Sequence, residues 1–295
     1  MKETMPQARI FAWAILAGVW LAAANQAGAT SAAQTAEILG ISIDKTSHSV
    51  SGERWVDETR KKLHKLTEEI NLPDLIKLGT PAYHHIMNLA ERGESFNVPP
   101  ELVAGELSKV VECGGTKPRF DGKGERYARR TILEASSYLP TLMIERIPAI
   151  DARTVVGRGL FRKYASGRTL IKTNGVKTSL HELGHALEYS IDHLFRLRNE
   201  FYEERTRGKN LKNLHCALLP FGYRPDEKYK TGFVDRYMGK EGGAEVYSCG
   251  VEYVFFNRRD IWHRDPEVTK FILGSLIFYG GAISYQFEIK GLKLE

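Results

Sequence analysis

The sequence predicts an α+β fold that is mainly helical, and three observations support this. Apolar residues recur at helical spacing in several stretches between residues 53 and 279. Stretches with strand character are few and short. The composition, 42% hydrophobic and 26% charged in 295 residues, is ordinary for a globular protein, so one large core or two small ones can form.

Residues 1–29 have the features of an export signal rather than of a folded element. Two basic residues, Lys2 and Arg9, flank the start of an uncharged apolar run of 15 residues, Ile10 to Ala24. Small residues at Ala27 to Ala29 then fit a cleavage site, with cleavage at the end of the apolar run as the alternative. We therefore expect a secreted or periplasmic protein without stable membrane insertion. An uncleaved anchor is less favoured, because a spanning helix needs about 20 apolar residues.

Residues 30–115 are expected to form a linker followed by an N-terminal helical region. Amphipathic spacing predicts helices over 53–70, 83–90 and 101–111. Asn71 to Pro73 is expected to end the first of them, because proline disfavours a continuing helix. The break at Cys113 to Pro118 then separates this region from a second domain, residues 116–295.

Two stretches of the second domain are predicted to be short strands. The first is Tyr138 to Ile144, although Pro140 interrupts it, and the second is Arg168 to Thr173. Asn174-Gly175 is a turn signal, and a helix begins a few residues later. A strand placed just before this helix can provide a sheet edge along which an extended peptide lies.

That helix contains His181-Glu182-Leu183-Gly184-His185, an H-E-x-x-H motif. Residues four apart lie on one helix face, about 6 Å apart along the axis, so His181 and His185 can bind one ion. Glu182 lies about 100° around the helix, where it can act as a general base. A zinc ion polarises a carbonyl and acidifies water to a pKa of roughly 7, so the motif predicts zinc-dependent hydrolysis.

The surroundings of the motif favour a packed helix. Thr178 or Ser179 can serve as its N-cap. Apolar residues continue at helical spacing at Leu180, Leu183, Leu187 and Ile191. Without Pro or Gly between residues 186 and 206, the helix should run about 25 residues, which places His193 and Glu203 too far along it to share the ion. The alternative is an ordinary buried helix whose two histidines bind no metal.

A catalytic zinc ion needs a third protein ligand, and Glu245 is the best candidate. It follows the pair Gly242-Gly243 and begins a helix that can deliver a carboxylate from a second element. Asp235 and Glu252 are the other candidates. Glu245 could instead be a first-turn acid that interacts favourably with the helix dipole.

The H-E-x-x-H motif followed by Ala244-Glu245 resembles the gluzincin class of zinc metallopeptidases, in particular the anthrax lethal factor catalytic domain and its relatives. The wider pattern over residues 165–280 is similar to uncharacterised phage-associated and bacterial zincin-like proteins. This resemblance implies a zincin-like domain over residues 116–295, Glu245 as third ligand and Tyr237 as a catalytic donor to the oxyanion. Tyr237 lies one residue further from Glu245 than the resemblance leads us to expect, and it could instead be a packed or surface tyrosine.

The resemblance also shows a departure after the third ligand. An acid one turn later often orients a histidine ligand, but this chain has Cys249 there. Glu188 and Glu252 are candidates for that task, and either could equally be a helix-surface carboxylate. Cys249 is one of three cysteines, with Cys113 and Cys216, that allow one disulfide in an oxidising compartment and match no zinc finger.

The net charge of +6 is modestly basic, and Lys and Arg are scattered apart from clusters over 117–130 and 205–212, so no nucleic-acid partner is expected. Only Phe120 and Tyr127 lie among the basic clusters, too few for a base-stacking platform. We therefore expect an exported metallopeptidase with one Zn²⁺ per chain on His181, His185 and Glu245, acting on a protein or peptide substrate. The alternatives are a non-catalytic zinc-stabilised binding or structural protein of prophage type, and a zinc hydrolase of a non-protein amide.

Overall fold

The computed structural model describes residues 70–91, 98–122, 124–213 and 227–281, and these ranges form a mainly helical α+β structure, as predicted. Three predicted segments, the export signal, the linker and the helix over 53–70, lie outside the described residues except for Ile70, and so does Cys216. In chain order, the elements are α1 (Leu72–Glu91), α2 (Pro100–Ser108), α3 (Arg126–Ser136), α4 (Thr141–Glu145), β1 (Ile150–Thr154), β2 (Leu160–Lys163), β3 (Thr169–Thr173), α5 (Val176–Ser190), α6 (Asp192–Thr206), β4 (Lys212–Asn213), β5 (Lys228–Tyr229), α7 (Val246–Phe256), α8 (Ile261–Arg264) and α9 (Pro266–Tyr279).

The first described helix begins where the sequence analysis expected a helix to end. The Asn71 side chain accepts a hydrogen bond from the backbone N–H of Asp74 at 3.0 Å, so Asn71 opens α1. Pro73 lies in the first turn, where its missing N–H leaves no helical bond unmade. Asn71 to Pro73 is therefore a start signal, and α1 extends well beyond the predicted 83–90.

Helix α1 packs along α9, although the two helices are far apart in the sequence. The apolar run of α9 is buried, as expected for a core segment. Residues on both sides of position 115 belong to one compact unit that begins at Ile70, and the described apolar residues before and after this position share one core. No helix in the described ranges is long and apolar enough to cross a bilayer.

The strand predicted over Tyr138 to Ile144 is wrong. This stretch leaves α3 and enters α4, with Pro140 at the N-cap position with φ −58°. Most of its apolar residues are buried, whereas Leu142 is exposed, and an apolar run this short has no periodicity that separates strand from helix. Proline before a helix start has the φ that the helix requires, so here it marks a helix rather than an interrupted strand.

The second predicted strand is confirmed as β3, the central strand of a mixed sheet with order β1-β3-β2. Strand β1 is parallel to β3, whereas β2 is antiparallel to it, with Phe161 opposite Ile171. Within the described part of the chain β2 pairs with β3 alone, so its other edge carries no strand. Strand β2 also contacts α5.

The predicted order of strand, turn and motif helix is confirmed, but two details differ. Helix α5 begins at Val176, so neither Thr178 nor Ser179 is its N-cap. Ser179 is instead buried, and its hydroxyl lies 2.9 Å from that of Thr173. The expected helix of about 25 residues is broken at Ile191, whose φ of −127° and ψ of 93° are extended, and α6 continues beyond it.

Candidate metal centre

Helix α5 places His181 and His185 on one face, with their ring centres 5.0 Å apart and nearly perpendicular. Glu245 lies opposite them. Its Oε2 atom is 3.3 Å from Nε2 of His181 and 3.2 Å from Nε2 of His185. Ligand atoms around a tetrahedral zinc ion with 2.0–2.1 Å bonds are about 3.3 Å apart, so these two separations match such a site. The structure thus brings together the three residues that the sequence analysis named as ligands.

Cys249 forms a second grouping with two of these residues. Potential ligand atoms of His181, Glu245 and Cys249 all lie within 4.8 Å of one another, a spacing that could hold a metal ion. The Cys249 sulfur lies 3.9 Å from His181 Nδ1, on the opposite ring nitrogen from Glu245. Burial raises the pKa of this thiol to about 12, so it carries its proton at neutral pH.

Glu245 reaches the histidines because α5 and α7 approach closely. A Cβ atom added to Gly184, within the motif, would lie only 2.7 Å from the Cα atom of Ser248. Glu245 is the N-cap residue of α7, yet its side chain makes no capping hydrogen bond. Its carboxylate accepts instead from the Ser248 hydroxyl at 3.3 Å and faces the histidines, which argues against a role confined to the helix dipole.

The other oxygen of Glu245, Oε1, faces the side chains of Tyr237, Arg158 and Lys240, and this more exposed side of the carboxylate is called the mouth of the site. The Tyr237 hydroxyl donates to it at 2.6 Å. Arg158 Nη2 and Lys240 Nζ lie 3.4 and 3.5 Å from the same oxygen. Tyr237, for which the resemblance implies an oxyanion-binding role, therefore lies beside the ligand carboxylate and within the site.

Asp235, an alternative third ligand, lies elsewhere in the hydrogen-bond network. It accepts from the backbone N–H of Tyr237 at 2.8 Å and from the Tyr253 hydroxyl at 2.6 Å. Glu203, excluded on the assumption of one long helix, is exposed and pairs with Lys230 at 3.6 Å, so the break at Ile191 does not bring it to the histidines. Glu245 is therefore the carboxylate that faces both imidazoles.

Glu252 orients His181. Its Oε2 atom lies 3.1 Å from His181 Nδ1, and its Oε1 atom accepts from Arg258 at 2.7 Å. A carboxylate on Nδ1 favours the tautomer with the proton there, which leaves the Nε2 lone pair for a metal ion. Glu252 thus has the task that the sequence analysis assigned to either Glu188 or Glu252, and it is a buried residue rather than a surface one.

Charge in the site follows from burial and hydrogen bonding. Although burial opposes it, hydrogen bonds from both histidines hold the pKa of Glu245 well below its usual range. Burial lowers the pKa of His185, so this imidazole is neutral, the form that binds metals. Burial raises the pKa of Glu182 to about 7, which suits a group that must accept and return a proton near neutral pH.

The Glu182 carboxylate lies close to Gly159, the residue before β2. A Cβ atom at Gly159 would overlap Oε1 of Glu182 and a methyl group of Thr178, so glycine leaves room for this carboxylate. Further along β2, the Phe161 ring stacks on His185 with centres 5.9 Å apart. Strand β2 therefore borders the motif helix from its glutamate to its second histidine.

The sequence analysis missed Arg198, which connects three parts of the site. This buried residue donates to Glu188 at 2.6 Å and to the carbonyl oxygen of Gly242 at 2.6 Å. It therefore fixes the turn that precedes Glu245 against the end of α5. The signal was present, because Arg198 falls at helical spacing among Leu194, Leu197 and Phe201, which together predict the buried face of α6.

Comparisons of this chain with protein-family models, with curated proteins and with solved structures found no match. The resemblance to gluzincins therefore remains a prediction. The functional assignment depends on the positions and chemistry of the residues described above.

Proposed function

We propose that this chain is a zinc-dependent peptidase, with His181, His185 and Glu245 as ligands and Glu182 as general base. The observation that carries the proposal is the position of Glu245 Oε2, which lies 3.2–3.3 Å from Nε2 of both histidines. Two imidazoles and one carboxylate are a donor set typical of catalytic zinc, which keeps a further position open.

The donor chemistry favours His185 over Cys249 as the remaining ligand. Glu252 lies closer to His181 Nδ1 than Cys249 does, at 3.1 Å against 3.9 Å, so the Nδ1 side is hydrogen-bonded to a carboxylate. Glu245 and His185 lie on the Nε2 side of His181, where the three residues together would hold an ion. The residues present therefore fit a His-His-Glu site.

A zinc ion held there would polarise a carbonyl group and acidify a water molecule. Glu182 accepts the proton of the attacking water and delivers it to the leaving amine, and its pKa of about 7 suits both transfers. Tyr237 lies 2.6 Å from Glu245, from where its hydroxyl can turn to donate to the carbonyl oxygen as negative charge develops. Glu252 keeps His181 oriented throughout.

The sheet edge favours a peptide over another amide as substrate. Strand β2 is antiparallel, carries no partner on its outer edge within the described ranges and runs beside α5. The Glu182 carboxylate lies beside Gly159, which precedes this strand. Phe161, within the strand, stacks on the His185 ring. An extended peptide added to this edge would place its backbone along the motif helix. Export through the signal predicted at residues 1–29 would direct this activity to extracytoplasmic peptides.

The proposal is tested by metal analysis and peptide cleavage with three variants. Purified wild type should contain one zinc ion per chain and cleave a mixed peptide library. Glu245→Gln should bind zinc much more weakly, whereas Glu182→Gln should keep zinc and lose cleavage, because it removes only the base. Glu203→Gln, an exposed glutamate on α6, is the matched control and should behave as wild type.

Three results would contradict the proposal. Wild type without bound zinc would return the histidines to the role of ordinary buried residues. Zinc retained in every form together with cleavage retained in Glu182→Gln would exclude Glu182 as the base. Zinc binding without any cleavage by wild type would indicate a metal that only stabilises the helices.

A further inference from the structure

Two cationic side chains lie at the mouth of the candidate site, near the Tyr237 ring. Arg158 comes from the connection between β1 and β2, and its guanidinium carbon is 4.8 Å from the centre of the Tyr237 ring. Lys240 comes from the segment before the 3₁₀ turn Glu241–Gly243, and its Nζ is 5.6 Å from the same centre. Separate segments of the chain thus place two positive charges beside one aromatic ring.

These cations are held only loosely by the carboxylate they flank. Their contacts with Glu245 Oε1, 3.4 and 3.5 Å, exceed the 2.7–2.9 Å usual for charge-assisted hydrogen bonds, and Tyr237 is the closer donor to that oxygen. The side chains of Arg158 and Lys240 are 39% and 24% exposed, against 6% for Glu245. Both cations are therefore accessible to solvent at the mouth of the site, whereas the ligand carboxylate is buried.

The net charge at the mouth of the site is positive once a divalent ion neutralises Glu245. Glu227 is a carboxylate beside the two cations, 3.0 Å from Lys240 and 3.9 Å from Arg158, and it offsets part of their charge. Even with Glu182 ionised, the ion and the two cations outweigh the carboxylates around them. A local surface with one sign of charge attracts ligands of the opposite sign.

We propose that Arg158 and Lys240 recognise a substrate carboxylate next to the scissile bond, so that the peptidase prefers acidic substrates. This inference rests on the function proposed above and extends it to a substrate class. Guanidinium binds carboxylate through two parallel hydrogen bonds, and ammonium adds a second point of attraction. The carboxylate can belong to an Asp or Glu side chain or to the C-terminus of the peptide.

A purely structural or oxyanion-binding role would give a different result. If the two cations only steadied Glu245 or the developing oxyanion, their removal would slow cleavage of every peptide by a similar factor. Recognition of a substrate carboxylate instead changes the ratio of kcat/KM between an acidic peptide and its amide counterpart. This ratio is therefore the readout.

The test compares matched peptides that carry Glu or Gln on either side of the cleaved bond, each with a free or an amidated C-terminus. Wild type should cleave the preferred acidic form at least about tenfold better, and Arg158→Met or Lys240→Met should each lower that preference several-fold. The Glu/Gln pairs and the free/amidated pairs show which source of carboxylate is recognised. Lys77→Met, an exposed lysine on α1, is the matched control and should keep the wild-type ratio.

Two further variants keep the test informative if a methionine variant fails to fold. Lys240→Arg preserves the positive charge and should keep the acidic preference. Lys240→Glu reverses the charge and should shift preference toward peptides with Lys at the same position. Unchanged ratios in all folded variants at Arg158 and Lys240, with peptides still cleaved, would overturn the subsite and leave the peptidase proposal intact.

Equilibrium binding separates this inference from the proposed function. Zinc-loaded Glu182→Gln protein should bind the acidic peptide about tenfold more tightly than the amide form, and Lys240→Glu in that background should remove the difference. If wild type cleaves no peptide but this binding preference holds, the peptidase proposal fails and the carboxylate subsite stands. Equal binding of both forms would overturn the subsite.

Discussion

Two pairs of helices in this molecule cross closely at glycine, but they surround those crossings with different side chains. Where α1 meets α9, a Cβ atom at Gly274 would overlap the carbonyl oxygen of Leu75, and one at Gly79 would overlap that of Lys270. Where α5 meets α7, Gly184 lies against the backbone of Ser248. The same packing device therefore occurs at both crossings.

The neighbours of the glycines separate the two crossings. Around Gly274 lie apolar residues of α9 such as Phe271 and Leu273, which gain from dispersion and from removal of apolar surface from water. Around Gly184 lie the charged or metal-binding groups of His181, Glu245 and Glu252. Burying carboxylates costs free energy unless partners compensate. The first crossing thus stabilises the fold, whereas the second gives up stability to hold ligands at fixed distances.

The largest effect should follow from Gly274→Val, which tests the structural crossing. Because the new side chain meets backbone rather than a flexible side chain, α1 and α9 must move apart, and we expect a loss of at least about 3 kcal/mol in the free energy of unfolding. Urea denaturation measures this loss. Gly105→Ala is the matched control: it lies in α2 with no atom within 4 Å of the added Cβ, and it should gain up to about 1 kcal/mol.

The same experiment can break the comparison. If the milder Gly274→Ala lowers zinc affinity in molecules that remain folded, the two crossings are coupled and the α1–α9 pair also positions ligands. We expect instead that folded Gly274→Ala protein binds zinc as wild type does, since none of the ligands lies on α1 or α9. Titration with a zinc-competing dye under native conditions gives this affinity.

The next effect is that of Gly184→Ala on the second crossing. Alanine favours a helix interior by about 1 kcal/mol over glycine, but its Cβ would lie 2.7 Å from Ser248 Cα and would push α7 away from α5. Glu245 then moves relative to both histidines. We expect zinc affinity to fall by about 10- to 100-fold, the range typical when ligand positioning is disturbed. An unchanged dissociation constant would mean that the close approach does not set ligand distances.

A smaller effect should follow from Glu252→Gln, which leaves the backbone of the crossing intact. The amide can still accept a hydrogen bond from His181, but it removes the negative charge that makes the imidazole a better ligand. We expect zinc to bind about tenfold more weakly. Glu203→Gln, exposed on α6, controls for the loss of one negative charge. Equal affinities in the two variants would remove Glu252 from the site.

The contrast between the crossings also explains what the sequence could and could not predict. His181, Glu182 and His185 were identifiable because their spacing within one helix fixes their relative positions. Glu245 was predicted from the need for a third ligand. Its contacts with the two histidines depend on the close approach of α5 and α7 at Gly184. Nothing in local periodicity predicts that a glycine faces another helix rather than solvent.

The failures have equally local causes. Two prolines mark helix starts: Pro140 is the N-cap residue of α4, and Pro73 lies in the first turn of α1. Proline has the same local preference at the end of one element and at the start of the next, so the sequence alone does not distinguish the two. Strands β1 and β2 escaped prediction because β2 is mostly exposed and polar, which hides the period-two pattern. The break at Ile191 has no Gly or Pro to signal it.

The smallest effect is expected at Cys249, and it decides between the two ligand groupings. Cys249→Ser keeps a small polar side chain on α7 while removing the sulfur. If His181, His185 and Glu245 bind the metal, zinc affinity should change by less than about threefold. The reason is that Cys249 lies near His181 Nδ1, the ring nitrogen that contacts Glu252, and not near Nε2, the nitrogen that would bind the metal. Cobalt substitution sharpens the result, since thiolate coordination gives an intense sulfur-to-cobalt charge-transfer band. That band in the wild-type spectrum, together with its loss in Cys249→Ser, would replace His185 by Cys249 in the ligand set.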